Sequence, residues 1–267
     1  MCAARRNGDK LFRLDGGYGA LVRWYMDHSN ADLRFRAEVH SIEWQSRRAK
    51  VGFVHDSLKQ TVVARAVVVT VPLPWLQAER PHSALQFVPD VPAKRSAARR
   101  LAMGHVVRVS FVLSQPIWED IVPNLAFVFC PTKPFPTWWT GRSNTANIIT
   151  GWVGGPAAST LLLQDREHIL TIARKTLAEV AHITTDQIDR HLTASYFHDW
   201  SHDHFALGAY SYTPVDALDA RAELARPVSD TLFFAGEATN SKGEHGTVHG
   251  AEESGTRVAS EVAEALR

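Results

Sequence analysis

LFFAGEATN, residues 232–240, stands near the end of the chain and is followed closely by GTVHGAEESG, residues 246–255. The apolar run stops at Gly236, a pattern typical of a buried strand whose backbone closely approaches a neighbour. The second cluster opens a helix, because apolar residues from Val248 to Leu266 recur at helical spacing. The first N–H groups of such a helix lack partners, and the helix dipole favours negative charge there. The pattern predicts either a cofactor site or ordinary packing of a strand, a turn and a helix.

The residue types narrow these alternatives. FFAGEAT and the later GTVxGAxxSGxR resemble the C-terminal flavin-binding signature of the flavin-containing amine oxidases. That family includes monoamine oxidases, polyamine oxidases and lysine-specific histone demethylases. The resemblance implies FAD as the cofactor and places Gly236, Glu237, Thr247 and Val248 on it. It also implies that the helix starting near Val248 points its positive end at the flavin N1–C2=O edge, where negative charge gathers on reduction.

The composition is that of an ordinary soluble globular protein. The 267 residues are 45% hydrophobic and 21% charged, so that the chain can bury a substantial core. A net charge of +1 gives no overall attraction to nucleic acid or to an anionic membrane. The two cysteines cannot make a disulfide framework, and no apolar run suits a signal peptide or a membrane span. We therefore expect a cytoplasmic protein with no membrane or nucleic-acid partner.

The first hundred residues predict a helix and a small sheet. GGYG at residues 16–19 precedes an amphipathic helix over 20–28, but it lacks the spacing of a dinucleotide fingerprint. Strands are expected over 32–44, where the alternation changes phase through Ile42, over 50–55 and over 61–71. The last of these strands ends in the run AVVVTV, residues 66–71, and this apolar part should be buried on both faces. In the family that the chain resembles, a valine in the place of Val39 lends its backbone to the FAD adenine; an ordinary strand valine is the alternative.

The segment VPLPWL, residues 71–76, resembles the family's passage from the flavin domain into the substrate domain. We therefore predict a mixed α/β (α+β) fold: a partial, Rossmann-like FAD-binding domain of the amine oxidase type and a sheet-and-helix substrate domain. The expected boundaries are 11–104 for part of the FAD-binding domain, 105–204 for the substrate domain and 205–267 for the rest of the FAD-binding domain. Within the substrate domain, Asp165 should cap a helix reaching about residue 182. Thr184 and Gln187 should open another, and 192–200 should form a strand.

MGHVVRVSFVL, residues 103–113, reads as a loop leading into a strand. It resembles the family segment whose lysine is hydrogen-bonded through water to flavin N5, and Arg108 occupies the lysine position. A buried lysine can lose its proton, whereas an arginine in practice cannot. Four interpretations of Arg108 remain: it orders a water, it holds a substrate carboxylate, it belongs to an idle site, or it is a strand arginine facing solvent.

WSHDHFALGAYSY, residues 200–212, resembles the polyamine oxidase and histone demethylase branches. The resemblance implies that Trp200 lies beside the flavin and that Tyr210 faces the substrate amine. Ala209 stands where monoamine oxidases carry the cysteine that bonds the flavin, which implies non-covalent FAD. Thr247 occupies the place of a second cage tyrosine, so a cage of two tyrosines is not expected.

Two other kinds of site are not favoured. His198, His202 and His204 are close in sequence, but their spacing follows no standard zinc pattern, and we expect no metal. Four cations follow Pro92 on a predicted helix, which usually means a solvated helix face. Without interleaved aromatic residues, these cations do not indicate a nucleic-acid patch.

No strand–GxGxxG–helix unit, which the family uses to hold the FAD pyrophosphate, occurs in the sequence. We therefore expect a truncated chain, a partner chain carrying the first half, or a protein that no longer binds flavin. Loss of that unit should expose apolar faces such as Val67 and Val69.

The activity implied by the resemblance is oxidation of an amine C–N bond to an imine, with hydride transfer to the flavin and reoxidation by oxygen. Its catalytic residues would be Tyr210, Arg108 and Trp200. Polyamines are the first expected substrate class, and an amino acid held by Arg108 is the second. A non-enzymatic subunit or remnant is the alternative from a different functional class.

Overall fold

The computed structural model of the protein describes residues 14, 16–77, 85–119, 123, 125–141 and 147–267. The expected start of the first domain, at residue 11, lies outside this part of the chain. The three domain boundaries stay predictions.

The first sheet has four strands. They are β1 (Ala37–Gln45), β2 (Arg48–His55), β3 (Leu58–Ala64) and β5 (Gln86–Val88), in the order β3–β2–β1–β5. The predicted strand over 32–44 begins only at Ala37, because Arg36 adopts a positive φ of 54° that interrupts an extended run. A register shift between Val39 and Ser41 gives β1 a bulge, and this explains the change of phase seen in the sequence.

Residues 61–71 belong to two sheets, and the prediction of a single strand is wrong. β3 ends at Ala64, and β4 (Val67–Val69) then pairs in parallel with β13 (Leu232–Phe234). Burial on both faces is also wrong, because Val68 is 41% exposed. Val69 was expected to be exposed but is 5% accessible, since it packs into the apolar core beside Phe234.

The second sheet is antiparallel, with the order β11–β7–β10–β9–β8. Its strands are β7 (Val106–Leu113), β8 (Phe127–Phe129), β9 (Thr137–Thr140), β10 (Ile148–Gly154) and β11 (Leu192–Phe197). Alternate residues of β7 point into an apolar core that also holds Ala173 and Leu177 from a helix. The helices next to this sheet are α4 (Pro156–Leu161), α5 (Arg166–Val180) and α6 (Thr185–His191).

The helix caps predicted from the sequence are confirmed. Asp165 accepts a hydrogen bond from the His168 N–H at 2.8 Å, and Thr184 and Gln187 form a reciprocal capping box. The strand expected over 192–200 ends earlier, at Phe197. The chain then turns, so that Trp200 lies outside the sheet.

Three helices cover the apolar core that contains Ile42, Val69 and Phe234. They are α2 (Leu73–Gln77), α3 (Pro92–Arg100) and α7 (Ala220–Ala225). The prediction that the cations of α3 form a solvated face is wrong for Lys94, which is only 2% exposed. Its ammonium group donates to the Glu223 carbonyl and lies 5.2 Å from the centroid of the Phe234 ring. Burial lowers the pKa of Lys94 to about 8.

A two-stranded ribbon and two helices complete the fold. These elements are α1 (Tyr18–Asp27), β6 (Ala102–Gly104), β12 (Tyr210–Tyr212) and α8 (Val248–Ala265). The predicted helix start near Val248 is confirmed, but of the predicted apolar face only Val258 is fully buried, and it packs on Phe233. No residue of α1 is buried, and this helix touches α8 through the Tyr25 hydroxyl, which donates to Glu252 at 2.5 Å. None of the helices in the described part of the chain is long and apolar enough to span a membrane.

Candidate functional site

A cavity of about 270 Å³ lies where β4 and β13 end. Both parallel strands direct their carboxyl ends towards it, which is where ligands bind in open α/β sheets. Its walls come from several separate segments, among them those that carry Pro72, Met103, Ala209 and Gly236. The cavity therefore depends on long-range packing and not on one local motif.

The backbone turn at Gly236 shapes this cavity. Gly236 has a φ of 111°, a conformation that residues with a side chain rarely adopt. Its N–H donates to the Ser254 hydroxyl of α8 at 2.8 Å, and its carbonyl accepts from the Thr239 hydroxyl at 2.8 Å. Glycine is thus required here by the backbone, and the end of β13 is fastened directly to the helix behind it.

The carboxylate of Glu237 is the centre of a hydrogen-bond network. It accepts from the Ser211 N–H at 3.0 Å, from the Ser211 hydroxyl at 2.8 Å and from the Gly246 N–H at 2.7 Å. These donors belong to β12 and to the loop before α8. Glu237 therefore holds together the segments around the cavity, a role that the sequence pattern did not indicate.

The buried side chain of Arg221 extends this network through further hydrogen bonds. Its guanidinium donates to the Thr213 hydroxyl at 2.8 Å, to the Ser211 hydroxyl at 2.8 Å and to the Ala238 carbonyl at 3.1 Å. Burial lowers the pKa of Arg221, and the charge of Glu237 opposes this shift. The guanidinium nevertheless stays charged, since arginine in proteins does not lose its proton at ordinary pH.

The start of α8 has one capped N–H group, that of Gly250, and further N–H groups without an intrahelical acceptor. Thr247 is the N-cap: its hydroxyl oxygen accepts from the Gly250 N–H at 3.0 Å and donates to the Glu244 carbonyl at 2.5 Å. A Cβ on Gly250 would lie 1.9 Å from that carbonyl oxygen, so the tight loop requires glycine. The N–H groups of Val248 and His249 have no intrahelical acceptor, as at any helix start. Val248 is 46% exposed, so this helix end is accessible.

Tyr210 lies beside this helix start. It pairs with Gly104 across the β6–β12 ribbon, and a Cβ on Gly246 would lie 3.4 Å from its ring. The ring is 38% exposed, and partial burial raises the pKa of its phenol. Tyr210 is therefore a neutral, partly accessible hydroxyl near the loop that carries Thr247.

A second, more open cavity of about 560 Å³ lies against the five-stranded sheet. Arg108 and Trp200 both line it, together with Tyr196 and Arg166. Arg108 points away from the core on β7, and its guanidinium carbon is 5.9 Å from the centroid of the Trp139 ring. Two of the predicted catalytic residues thus share one cavity.

The two cavities are neighbours along the chain. Met103 lines the first and Arg108 the second, and β6 leads almost directly into β7 between them. The Gly208 N–H, in the wall of the first cavity, donates to the Trp200 carbonyl at 2.8 Å. Val39 is different: it lies on β1 in the four-stranded sheet and packs against the apolar core that contains Val69 and Phe234, but it lines neither cavity.

Several residues that build the site are not marked by the sequence pattern. Ser211 provides two hydrogen bonds to the Glu237 carboxylate, Gly246 provides one to the same carboxylate, and Ser254 accepts one from the Gly236 backbone. Serines and glycines are common in loops, so nothing in their spacing marks them. Arg221 carried no signal either, because it stands among other charged residues such as Asp219 and Glu223.

The histidines near Trp200 are used in pairs. His198 lies 2.9 Å from Asp203, His202 lies 2.8 Å from Asp199, and His204 reaches a carboxylate of β1. Across the described ranges, no group of three or more histidine, cysteine or acidic side chains is arranged to hold a metal ion.

Comparison with known proteins adds the family. A family model described as flavin containing amine oxidoreductase matches residues 1–263. The chain belongs to this family. The resemblance stated from the sequence is therefore confirmed, and membership of the family implies FAD as the cofactor.

Several curated relatives of this chain are demethylases or polyamine oxidases by name. Histone demethylase-like protein A of Aspergillus fumigatus is 30% identical over 88% of the chain and 23% of the relative. Lysine-specific histone demethylase 1 homolog 3 of Arabidopsis thaliana is 27% identical over 95% of the chain and 16% of the relative. Polyamine oxidase 3 of Oryza sativa subsp. japonica is 29% identical over 95% of the chain and 51% of the relative. The chain thus spans about half or less of the length of these relatives.

A solved structure of a putrescine oxidase variant has the same fold. It matches with a TM-score of 0.78 and 18% identity, covering 93% of this chain and 53% of the other. The predicted mixed α/β fold of the amine oxidase type is confirmed.

The residues present fit the flavin end of an FAD. The cavity at Gly236 has accessible backbone, and the start of α8 offers unpaired N–H groups to an electron-rich ring edge. Its volume of about 270 Å³ is just below the usual range of about 300–1,000 Å³ for small-molecule pockets. It is therefore too small for a whole dinucleotide.

Proposed function

We propose that the chain carries the flavin-end and substrate sites of an FAD-dependent oxidase that converts an amine to an imine. The observation that supports this most directly is the cavity at the ends of β4 and β13, with Gly236 in its wall and the open start of α8 close by. Membership of the amine oxidoreductase family agrees with it. The activity of the whole protein is part of the proposal, because the chain covers only part of its relatives.

FAD, when bound, supplies the oxidising chemistry: it takes up hydride from the carbon next to the amine nitrogen and later passes the electrons to oxygen. The chain's own residues bind and orient the flavin and the amine. The positive end of α8 stabilises negative charge at the nearest ring edge. Trp200, in the lining of the second cavity, and Tyr210, beside the start of α8, provide aromatic surface that directs the amine. FAD is expected to be held non-covalently, since Ala209 lacks a nucleophile.

The proposed role of the Val248 N–H in binding the flavin can be tested by removing that one donor. Val248→Pro removes one N–H at the first helical position, where proline is well tolerated. Thr247 is extended, with φ −128° and ψ 156°, and this conformation is compatible with a following proline. Val248→Ala is the matched control, because it shortens the same side chain and keeps the N–H.

The measurement is FAD retention. Each protein is mixed with FAD, passed through a desalting column and examined by visible absorption. Where the protein retains flavin, with or without the further segment proposed below, we expect Val248→Ala to match wild type and Val248→Pro to bind FAD about tenfold more weakly, the loss of roughly one hydrogen bond to a polar ring. Retention by none of the three would show that this chain alone is not the oxidase. Equal retention by all three would remove Val248 from the site.

Tyr210 is tested by turnover. In flavin-loaded protein, Tyr210→Phe keeps the ring and removes the hydroxyl, so slower anaerobic flavin reduction by an amine would support its place in front of the substrate. Unchanged reduction would exclude a role for the hydroxyl. Polyamines and amino acids are both candidate substrates, the first because relatives are named polyamine oxidases and the second because of Arg108.

We also propose that a further polypeptide segment holds the FAD pyrophosphate, on a partner chain or on a longer form of this one. The sequence contains no GxGxxG unit for that purpose. The exposed Val68 supports this proposal, because strands of parallel sheets are normally covered on both faces.

A further inference from the structure

The open face of the five-stranded sheet carries an ordered array of side chains. The strand registers place Tyr196, Ser110, Thr150, Trp139 and Phe127 in one row across all five strands. The hydrogen bond of 3.0 Å between the Ser110 and Thr150 hydroxyls agrees with this arrangement. The face is thus largely aromatic, with a narrow polar strip in the middle.

Arg108 begins the neighbouring row. Trp152 is its direct partner on β10, and Trp139 lies diagonally across with its ring centroid 5.9 Å from the guanidinium carbon. Trp152 in turn folds over Gly154, where a Cβ would lie 2.6 Å from the indole. The Trp139 ring thus lies on one side of the guanidinium, and the Arg108 side chain is exposed.

The charge around Arg108 is positive and unbalanced. In the described part of the chain no carboxylate lies within ion-pair distance of Arg108, and the lining of its cavity includes no acidic residue. The other basic lining residues are already engaged: Arg166 donates to the Phe197 carbonyl at 2.7 Å, and His198 pairs with Asp203. Arg108 is therefore the group in this lining that is free to receive an anion.

We propose that Arg108 binds the carboxylate of the amine substrate, so that the substrate class is an α-amino acid with an apolar or aromatic side chain and not a polyamine. This inference rests on the proposed function. A guanidinium presents two parallel N–H donors that match a carboxylate, and it stacks on indoles, which an ammonium group does less well. The aromatic row beside it provides the surface for the apolar side chain. A polyamine, which carries only positive charges, would meet like charge here.

The test compares two ligands that differ only in the carboxylate: L-phenylalanine and phenethylamine, with spermidine as the polyamine. Their affinities are measured by calorimetry for wild type, Arg108→Gln, Arg108→Lys and the control Arg48→Gln, an exposed arginine on β2. We expect wild type and the control to bind phenylalanine about 10- to 100-fold more tightly than phenethylamine, as for a charge-assisted pair of hydrogen bonds. Arg108→Gln should bring this ratio close to one, and Arg108→Lys should leave an intermediate ratio.

The proposal is overturned if phenylalanine fails to bind, if spermidine or phenethylamine binds more tightly, or if the ratio survives in Arg108→Gln. Anaerobic flavin reduction by the same ligands provides a separate readout. If no ligand reduces the flavin while phenylalanine still binds through Arg108, the proposed oxidase function fails and the carboxylate site stands as a binding site. If phenethylamine or spermidine reduces the flavin faster than phenylalanine, the oxidase function stands and the substrate class proposed here is wrong.

Discussion

Replacing Glu237 by glutamine tests whether this carboxylate is a structural clamp. The substitution keeps the shape of the side chain and exchanges one acceptor oxygen for an amide NH₂ group. In wild type one oxygen accepts from the Ser211 N–H, and the other accepts from the Ser211 hydroxyl and the Gly246 N–H. In either orientation of the amide, its NH₂ faces at least one backbone N–H, and two donors cannot bond to each other.

The expected cost follows from that count. One backbone donor left without an acceptor costs about 1–3 kcal/mol, and the remaining bonds lose the share that came from the negative charge. We therefore expect the free energy of unfolding to fall by about 2–3 kcal/mol. For a chain of this size, about 2–4 °C of melting temperature corresponds to each kcal/mol, so the Tm should drop by roughly 5–10 °C.

Thermal and urea unfolding followed by tryptophan fluorescence measures this change. The control is Glu43→Gln on β1, whose carboxylate is 55% exposed and pairs with Lys50 at 3.3 Å. An exposed pair contributes little, so the control Tm should stay within about 2 °C of wild type. If Glu237→Gln behaves like this control, the network does not hold the site together, and the carboxylate would be available to a cofactor.

Two further predictions concern Lys94 and α8. Because the folded chain lowers the pKa of Lys94 to about 8, the unfolded chain binds more protons above that pH, and wild type should gain stability relative to Lys94→Met as the pH rises. The gain should total about 3 kcal/mol between about pH 7 and about pH 11, measured by urea unfolding, and a parallel pH dependence of both proteins would contradict it. In α8, Gly250→Ala should lower the Tm by several degrees, because its Cβ would overlap the Glu244 carbonyl. Gly255→Ala should raise the Tm by about 2–3 °C, because its Cβ meets nothing within 4 Å. Equal effects of the two substitutions would contradict the packing described at the start of the helix.

Local chemistry was predictable from the sequence. The caps at Asp165 and Thr184 were predicted correctly because a helix start uses residues within one turn of each other. The phase change through Ile42 also corresponded to a real bulge in β1. In both cases the interacting residues are near neighbours in the sequence, so a pattern of residue types carries the information.

Long-range pairing was not predictable in the same way. The buried position of Lys94 depends on the Glu223 carbonyl, which lies on α7. The partner of β4 is β13, near the other end of the chain, so residues 61–71 read as one strand when considered alone. The flavin signature was found because its residue types resemble those of a known family. The clamp by Glu237 was missed, since its donors come from two other segments.

The clamp changes how the cofactor would be recognised. A carboxylate offers about four acceptor positions, and protein donors fill three of those on Glu237. A role for Glu237 in binding FAD, as implied by the family resemblance, would therefore have to use the one position that remains. The backbone N–H groups at the start of α8 are not occupied in this way. Flavin recognition should thus depend more on the position of α8 than on the charge of Glu237. Loss of Glu237 would then act on the flavin indirectly, by releasing the loop that sets the start of that helix.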